Sequence, residues 1–265
     1  MNTNNNKTSL KRVNLNKKDS PSKKILTRKD MIAYILKYLV VEFKDIDIND
    51  IKNSLESGID SKHIKTINTK DDYIPYSSIN YDILFTVKVP NSNEQIGMYI
   101  NIEPQGSYNN TYKLIRRAIY YASRIISRQK GIDFYSQDYN GIKKVYSIWL
   151  DTSPSKDKKG SINSYTINET ILSGKYKEPK LDYDLLNIIF AYVSNDDYGE
   201  YEQLMKLLYM LFIDTSIEPD DKLNIIKDNY DNIEIDEELK NMQSKNLQSQ
   251  LLKMPQILKA LTKQI

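Results

Sequence analysis

Apolar residues at Ile32, Ile35, Leu36, Leu39 and Val40 recur at the three-and-four spacing of a helix, which predicts an amphipathic helix over residues 31–43, with a shorter one over 51–55. The period then changes. Residues 81–90 (YDILFTVKVP) and 96–105 (IGMYINIEPQ) are β-branched, aromatic or otherwise apolar runs bounded by Asn and Ser, the signature of two paired, partly buried strands. The five residues between them, 91–95, have hairpin length. Over 111–129 the helical period returns: Ile115, Ala118, Ile119, Ala122, Ile125 and Ile126 form one stripe, Lys113, Arg117, Tyr120, Arg124 and Arg128 an opposing one, and Gly131 ends the segment. Residues 145–150 (VYSIWL) and 162–172 read as further strands across a Ser/Lys/Gly loop at 152–161.

Beyond residue 181 the patterns read as helical, at 185–193, 201–212, 220–228 and 237–261, the last interrupted by Pro255. The expected architecture is α/β: a core of mixed β-sheet flanked by helices over 30–180, with a helical C-terminal extension over 181–265. Neither an internal repeat nor a sustained heptad is present, which excludes a solenoid and a long coiled coil.

Composition narrows the chemistry. The chain of 265 residues contains no Cys and one His, which rules out disulfides, thiolate metal centres, thiol nucleophiles and multi-His metal sites. No apolar run approaches the roughly 20 residues that span a bilayer, and the N-terminus has no apolar signal core, so the expectation is a cytoplasmic protein without a membrane partner. The net charge of +3 is unevenly spread. Residues 1–30 hold nine basic side chains against two acidic ones, while the remainder carries −4. Residues 1–29 therefore read as a disordered basic arm, able to hold polyanions weakly through counterion release or simply solubilising.

The 81–105 hairpin carries the densest chemistry. Period-two alternation puts Asp82, Leu84, Thr86 and Lys88 on one face of its first strand, and Tyr99, Asn101, Glu103 and Gln105 on one face of its second. Asp82 and Glu103 can thus converge. Two carboxylates with a backbone carbonyl suit a hard, partly hydrated divalent cation, which activates water and neutralises phosphodiester charge. A carboxylate inside the apolar run YINIEP is costly to bury without a partner; the alternative is that both acids sit at strand ends in solvent.

Four blocks in order, YDILF at 81–85, INIEPQ at 100–105, LIRRAIYYASR at 114–124 and KVYSIW at 144–149, resemble the PD-(D/E)XK nuclease family transposases, related to the recombination-promoting nucleases. The resemblance extends from about residue 30 into the C-terminal helices and leaves the basic arm outside. It implies a restriction-endonuclease-like core acting on DNA, with Asp82 and Glu103 holding Mg²⁺ or Mn²⁺, the Pro104 carbonyl as a third ligand, and Gln105 orienting water or substrate. Gln105 falls where the wider superfamily has Lys, and a Gln supplies no positive charge to a developing oxyanion. A fold that retains DNA binding after losing efficient chemistry is the competing expectation. Lys88, on the Asp82 face, is either a displaced lysine or a solvated strand-end residue.

The acid-free stripe of Lys113, Arg117, Arg124 and Arg128 around Tyr120 offers cations for phosphates, or a solvated helix face. Arg117 and Arg124 are expected to contact phosphate or to brace the carboxylates. A double-strand cut favours a homodimer, although no interface signal stands out. Asp45, Asp47, Asn49 and Glu56 mimic a calcium loop, but Asp50 stands where such a loop needs Gly. Lone His63 reads as a satisfied residue rather than a catalytic base.

Overall fold

The computed structural model describes residues 21–58, 60–72, 79–90, 97–105 and 112–241. It begins with a short helix, α1 (Pro21–Leu26), followed by α2 (Lys29–Leu39) and α3 (Ile48–Ser54). Asp47 caps α3, its side chain accepting the Asn49 amide at 2.8 Å, which is the role of the calcium-like run here. A two-residue pair, β1 (Lys70–Asp71) and β2 (Ile79–Asn80), precedes the hairpin strands β3 (Ile83–Lys88) and β4 (Gly97–Gln105). The residues connecting those strands, 91–96, lie outside the described residues. Then come α4 (Leu114–Arg128), β5 (Lys144–Asp151), β6 (Ile162–Thr166), α5 (Lys180–Tyr183), β7 (Leu186–Tyr192), α6 (Glu202–Phe212) and α7 (Pro219–Asn229).

Five strands form a mixed sheet in the order β3-β4-β5-β7-β6. β3 and β4 are antiparallel, β4, β5 and β7 parallel, and β6 antiparallel to β7 at the edge. Alternation divides the sheet as the sequence predicts. Ile83, Phe85, Val87, Met98, Ile100, Ile102, Tyr146, Ile148 and Leu150 face a core shared with α1, α2, α3, α6 and α7. Leu84, Tyr99, Val145 and Trp149 face the other way, onto Ala118, Ala122 and Ile125 of α4. The two alanines let the α4 backbone come close to the sheet, which puts the arginines flanking them beside it.

Three expectations change. The run at 185–193 is strand β7, not a helix: NIIFAYV is apolar on both faces because a parallel central strand is covered on both sides, and such a run carries no period to read. The boundary at 180 disappears with it, since β7 lies between β5 and β6, and α6 and α7 pack into the first core rather than forming an extension. Beyond a helical stretch at 237–241, the rest of the expected 237–261 helix lies outside the described residues. At 162–172 only Ile162–Thr166 is strand.

The basic arm is also shorter than expected. From Pro21 the chain is helical, and Ile25 and Leu26 are buried in the core. Arg28 is fully enclosed, its guanidinium bonded to Asp30 at 3.0 and 2.6 Å, to Asp236 at 2.8 Å and to the Glu234 carbonyl at 2.7 Å. These apolar and ionic anchors outweigh the local polar composition. Residues 1–20 lie outside the described residues. His63 is held by Asp60, whose Oδ1 lies 2.9 Å from Nδ1, while its Nε2 is buried 3.0 Å from Glu238 Oε2 without a hydrogen bond among the described residues. No helix among the described residues is long and apolar enough to cross a membrane.

Candidate active site

The β3/β4 register pairs Ile83 with Ile102, so the next opposed pair, one step beyond the ladder, is Asp82 and Glu103. The expected convergence of the two acids occurs here. The Asp82 amide donates to Glu103 Oε1 at 3.1 Å. The hydrogen-bond network orients the Asn101 amide so that its nitrogen also donates to Oε1 at 3.1 Å and to the Ile83 carbonyl at 3.3 Å. Oε1 is therefore doubly satisfied. Glu103 Oε2 is buried with no hydrogen-bond partner among the described residues, and the Arg117 guanidinium stands 3.8 Å away, too far for a hydrogen bond.

Glu103 has no exposed surface. Burial, reinforced by the negative charge of Asp82, pushes its carboxyl up to about 8. A carboxylate at neutral pH in this position lacks positive charge. Arg117 supplies part of it from above: its guanidinium lies over the Tyr121 ring at 4.7 Å and the Trp149 ring at 5.2 Å, which fixes the plane of the fork. From the side, the Lys23 ammonium of α1 reaches Asp82 Oδ1 at 3.2 Å. The sequence pattern left Lys23 in the basic arm; only Ile25 and Leu26 beside it hinted that this part of the arm packs.

Gln105 is buried two residues beyond Glu103, in register with Asp151 at the end of β5. Asp151 also escaped the sequence reading, which ended that strand at Leu150. Burial raises its carboxyl, and the Ser153 amide donates to it at 2.9 Å. Pro104, between the two site residues, lines the opposite face of the sheet with Leu26, Leu150 and Leu208. Among the described residues no three His, Cys, Asp or Glu side chains converge as a metal-ligand set. A cation here would rest on Asp82 and Glu103, completing its shell from backbone oxygen, water and phosphate. That donor set, all hard oxygen, fits Mg²⁺ or Mn²⁺, and the partnerless Glu103 Oε2 marks where such a charge is wanted.

The basic stripe divides. Lys113, at the start of α4, is exposed. Arg124 is not on the surface: its side chain is 4% exposed and bonded to Asp71 Oδ1 at 2.8 Å, so it braces β1 instead of offering a phosphate contact. Arg128 donates to the Asn68 carbonyl at 3.1 Å. Ile119, expected inside, is 48% exposed. The helix is thus rotated from the purely hydrophobic optimum, because buried carboxylates at Glu103 and Asp71 draw Arg117 and Arg124 inward. Lys88 pairs with Gly97 at the far end of β3, about 20 Å from Asp82 at strand rise, and is not a lysine of this site.

The chain matches no known protein family model, no curated protein and no solved structure.

Proposed function

We propose that this protein is a metal-dependent DNA endonuclease of the PD-(D/E)XK type. The observation that carries the reading is the buried Glu103 beside Asp82, with one oxygen hydrogen-bonded and the other facing only the Arg117 guanidinium at 3.8 Å among the described residues. The four sequence blocks that resemble the nuclease-like transposases fall on β3, β4, α4 and β5, the elements that assemble this corner. A link to transposition or recombination rests on that resemblance alone.

In this reading Asp82 and Glu103 hold Mg²⁺ or Mn²⁺, with the Pro104 carbonyl as a further ligand. The ion, when bound, lowers the pKa of water and offsets charge on the phosphodiester. The chain's own residues do the rest. Asn101 and the Asp82 amide lock Glu103 Oε1 so that Oε2 is presented in one direction. Arg117 holds a fixed positive charge above the carboxylates and beside the path of a phosphate. Gln105 orients water or substrate through its amide. Water adds to phosphorus and gives its proton to solvent, while the bond to one ester oxygen breaks and that oxygen leaves as an alcohol, taking a proton from solvent.

The second reading, a DNA-binding protein of this fold without efficient chemistry, is favoured by the neutral Gln105. The deciding experiment is cleavage of supercoiled plasmid and single-stranded DNA with Mg²⁺ or Mn²⁺, comparing the intact protein with Asp82→Ala and Glu103→Ala purified identically. Nicking by the intact protein alone supports the nuclease. Equal cutting by all three is contamination, and DNA binding with no cutting moves the second reading ahead.

A further inference from the structure

We propose that Lys23 is the ammonium of the Asp82–Glu103 site, delivered by α1 from outside the sheet to serve where Gln105 carries no charge. The inference rests on the nuclease reading and adds to it a residue that neither the strand pattern nor the family-like blocks contain.

The geometry begins with the pair itself. Lys23 Nζ lies 3.2 Å from Asp82 Oδ1, and the two side chains are 15% and 19% exposed. A charge pair this sheltered is screened far less by salt than an open surface bridge. Asp82 in turn faces Glu103, whose carboxylate accepts the Asp82 amide at 3.1 Å, so the two acids are tied into one unit. Positive charge delivered to Asp82 is therefore felt at both carboxylates.

The three other cations weighed for this site among the described residues lie elsewhere or act on Glu103. Lys88 is at the far end of its strand, Arg124 is committed to Asp71, and Arg117 stacks on Tyr121 and Trp149 on the Glu103 side. Lys23 alone among them touches Asp82.

Its delivery is built into the fold. Ile25 and Leu26 anchor α1 in the core. The next residues are held as well: the Ile64 amide donates to the Thr27 carbonyl at 2.9 Å, the Lys29 amide to the Lys62 carbonyl at 2.8 Å, and Arg28 is clamped between Asp30 and Asp236. A six-residue helix would not persist alone, so this docking is what orders Lys23. Its flexible four-carbon stem and three N–H donors let the ammonium hold the Asp82 carboxylate in place beside Glu103. Lys23 is a positioning residue, acting through Asp82.

The test compares the full chain with Lys23→Met and Lys23→Arg, reading plasmid-nicking kinetics and the binding of Mn²⁺ alone by electron paramagnetic resonance. Lys23→Met is expected to lower kcat about 100-fold with KM for DNA unchanged. Lys23→Arg should recover most of that loss. Mn²⁺ should bind Lys23→Met about tenfold more tightly, because a like charge has left its vicinity. Full kcat in Lys23→Met, or Mn²⁺ affinity equal to that of the intact protein, overturns the assignment while leaving the nuclease reading in place. An intact protein that neither binds Mn²⁺ nor cuts DNA overturns both. Should Lys23→Met melt early, Lys23→Gln carries the same comparison.

Discussion

The Asp82 amide donates to Glu103 Oε1 at 3.1 Å, so the backbone of one candidate ligand fixes the side chain of the other. The pair lies one step past the last β3/β4 rung. There the ladder no longer uses the Asp82 amide, and a carboxylate takes the place of a backbone acceptor. This is why Glu103 can be fully buried with one oxygen satisfied by the backbone of its neighbour.

Glu103 makes the metal-free protein pH-sensitive. Its carboxyl is raised from an ordinary 4.5 to about 8 in the folded state, by burial first and Asp82 second. The fold therefore binds this proton more tightly than the unfolded chain does. The resulting stabilisation is full below pH 4.5 and lost as pH rises through about 8. Glu103→Gln removes the titration. In EDTA, melting curves from pH 5 to 8 should show the variant overtaking the intact protein, by roughly 5–10 °C at the upper end. Saturating Mn²⁺ should narrow the gap by stabilising the intact protein, and parallel pH profiles would remove the strained carboxylate from the account.

Arg117 is expected to act through its plane as well as its charge. Arg117→Ala should reduce nicking about 100-fold, and Arg117→Lys should restore little, because an ammonium cannot stack on Tyr121 and Trp149 as a guanidinium does. Steady-state nicking rates decide it; full rescue by lysine would mean that charge alone matters.

Arg124 and Asp71 form a buried pair whose breakage leaves one charge unpaired. Arg124→Met should cost about 3 kcal/mol in urea unfolding. The double variant Asp71→Asn/Arg124→Met should regain more than half of it, since no lone buried charge remains. DNA affinity of the double variant should match that of the intact protein, in contrast to the surface role the helical stripe suggests.

Residues 1–20 retain five of the nine basic side chains counted in the N-terminal stretch, Lys7, Lys11, Arg12, Lys17 and Lys18, against Asp19. Their deletion should flatten the dependence of DNA affinity on salt, lowering the logarithmic slope by about 3–4, while nicking at saturating DNA and low salt persists. Fluorescence anisotropy across a salt series measures the slope. An unchanged slope would show that these residues do not touch DNA.

The sheet's inner logic was legible wherever one face differed from the other. Ile83, Phe85, Val87, Met98, Ile100 and Ile102 alternate with polar or differently packed residues, and the structure sends them to one core. β7 was illegible for the opposite reason: Ile188, Ile189, Phe190 and Ala191 are all buried, so no alternation survives in the sequence. The α4 arginines misled in a third way. Helical periodicity sorts residues by hydrophobicity, and two of these cations turn inward toward buried acids that belong to other elements.

The sequence by itself determined that Asp82 shares a face of its strand with Leu84, Thr86 and Lys88 and Glu103 a face of its own with Tyr99, Asn101 and Gln105, that the hairpin precedes a cationic helix, and that no thiol or multi-histidine chemistry is open to this chain. These follow from composition and from the fixed two-residue repeat of a strand, which is local geometry. Only the tertiary structure decided which cation meets which carboxylate. Lys23 and Asp82 are separated by 59 residues, as Arg124 and Asp71 are by 53. Such pairings are set by where Ile25, Leu26, Ala118 and Ala122 dock their helices, a long-range packing outcome that no local period encodes.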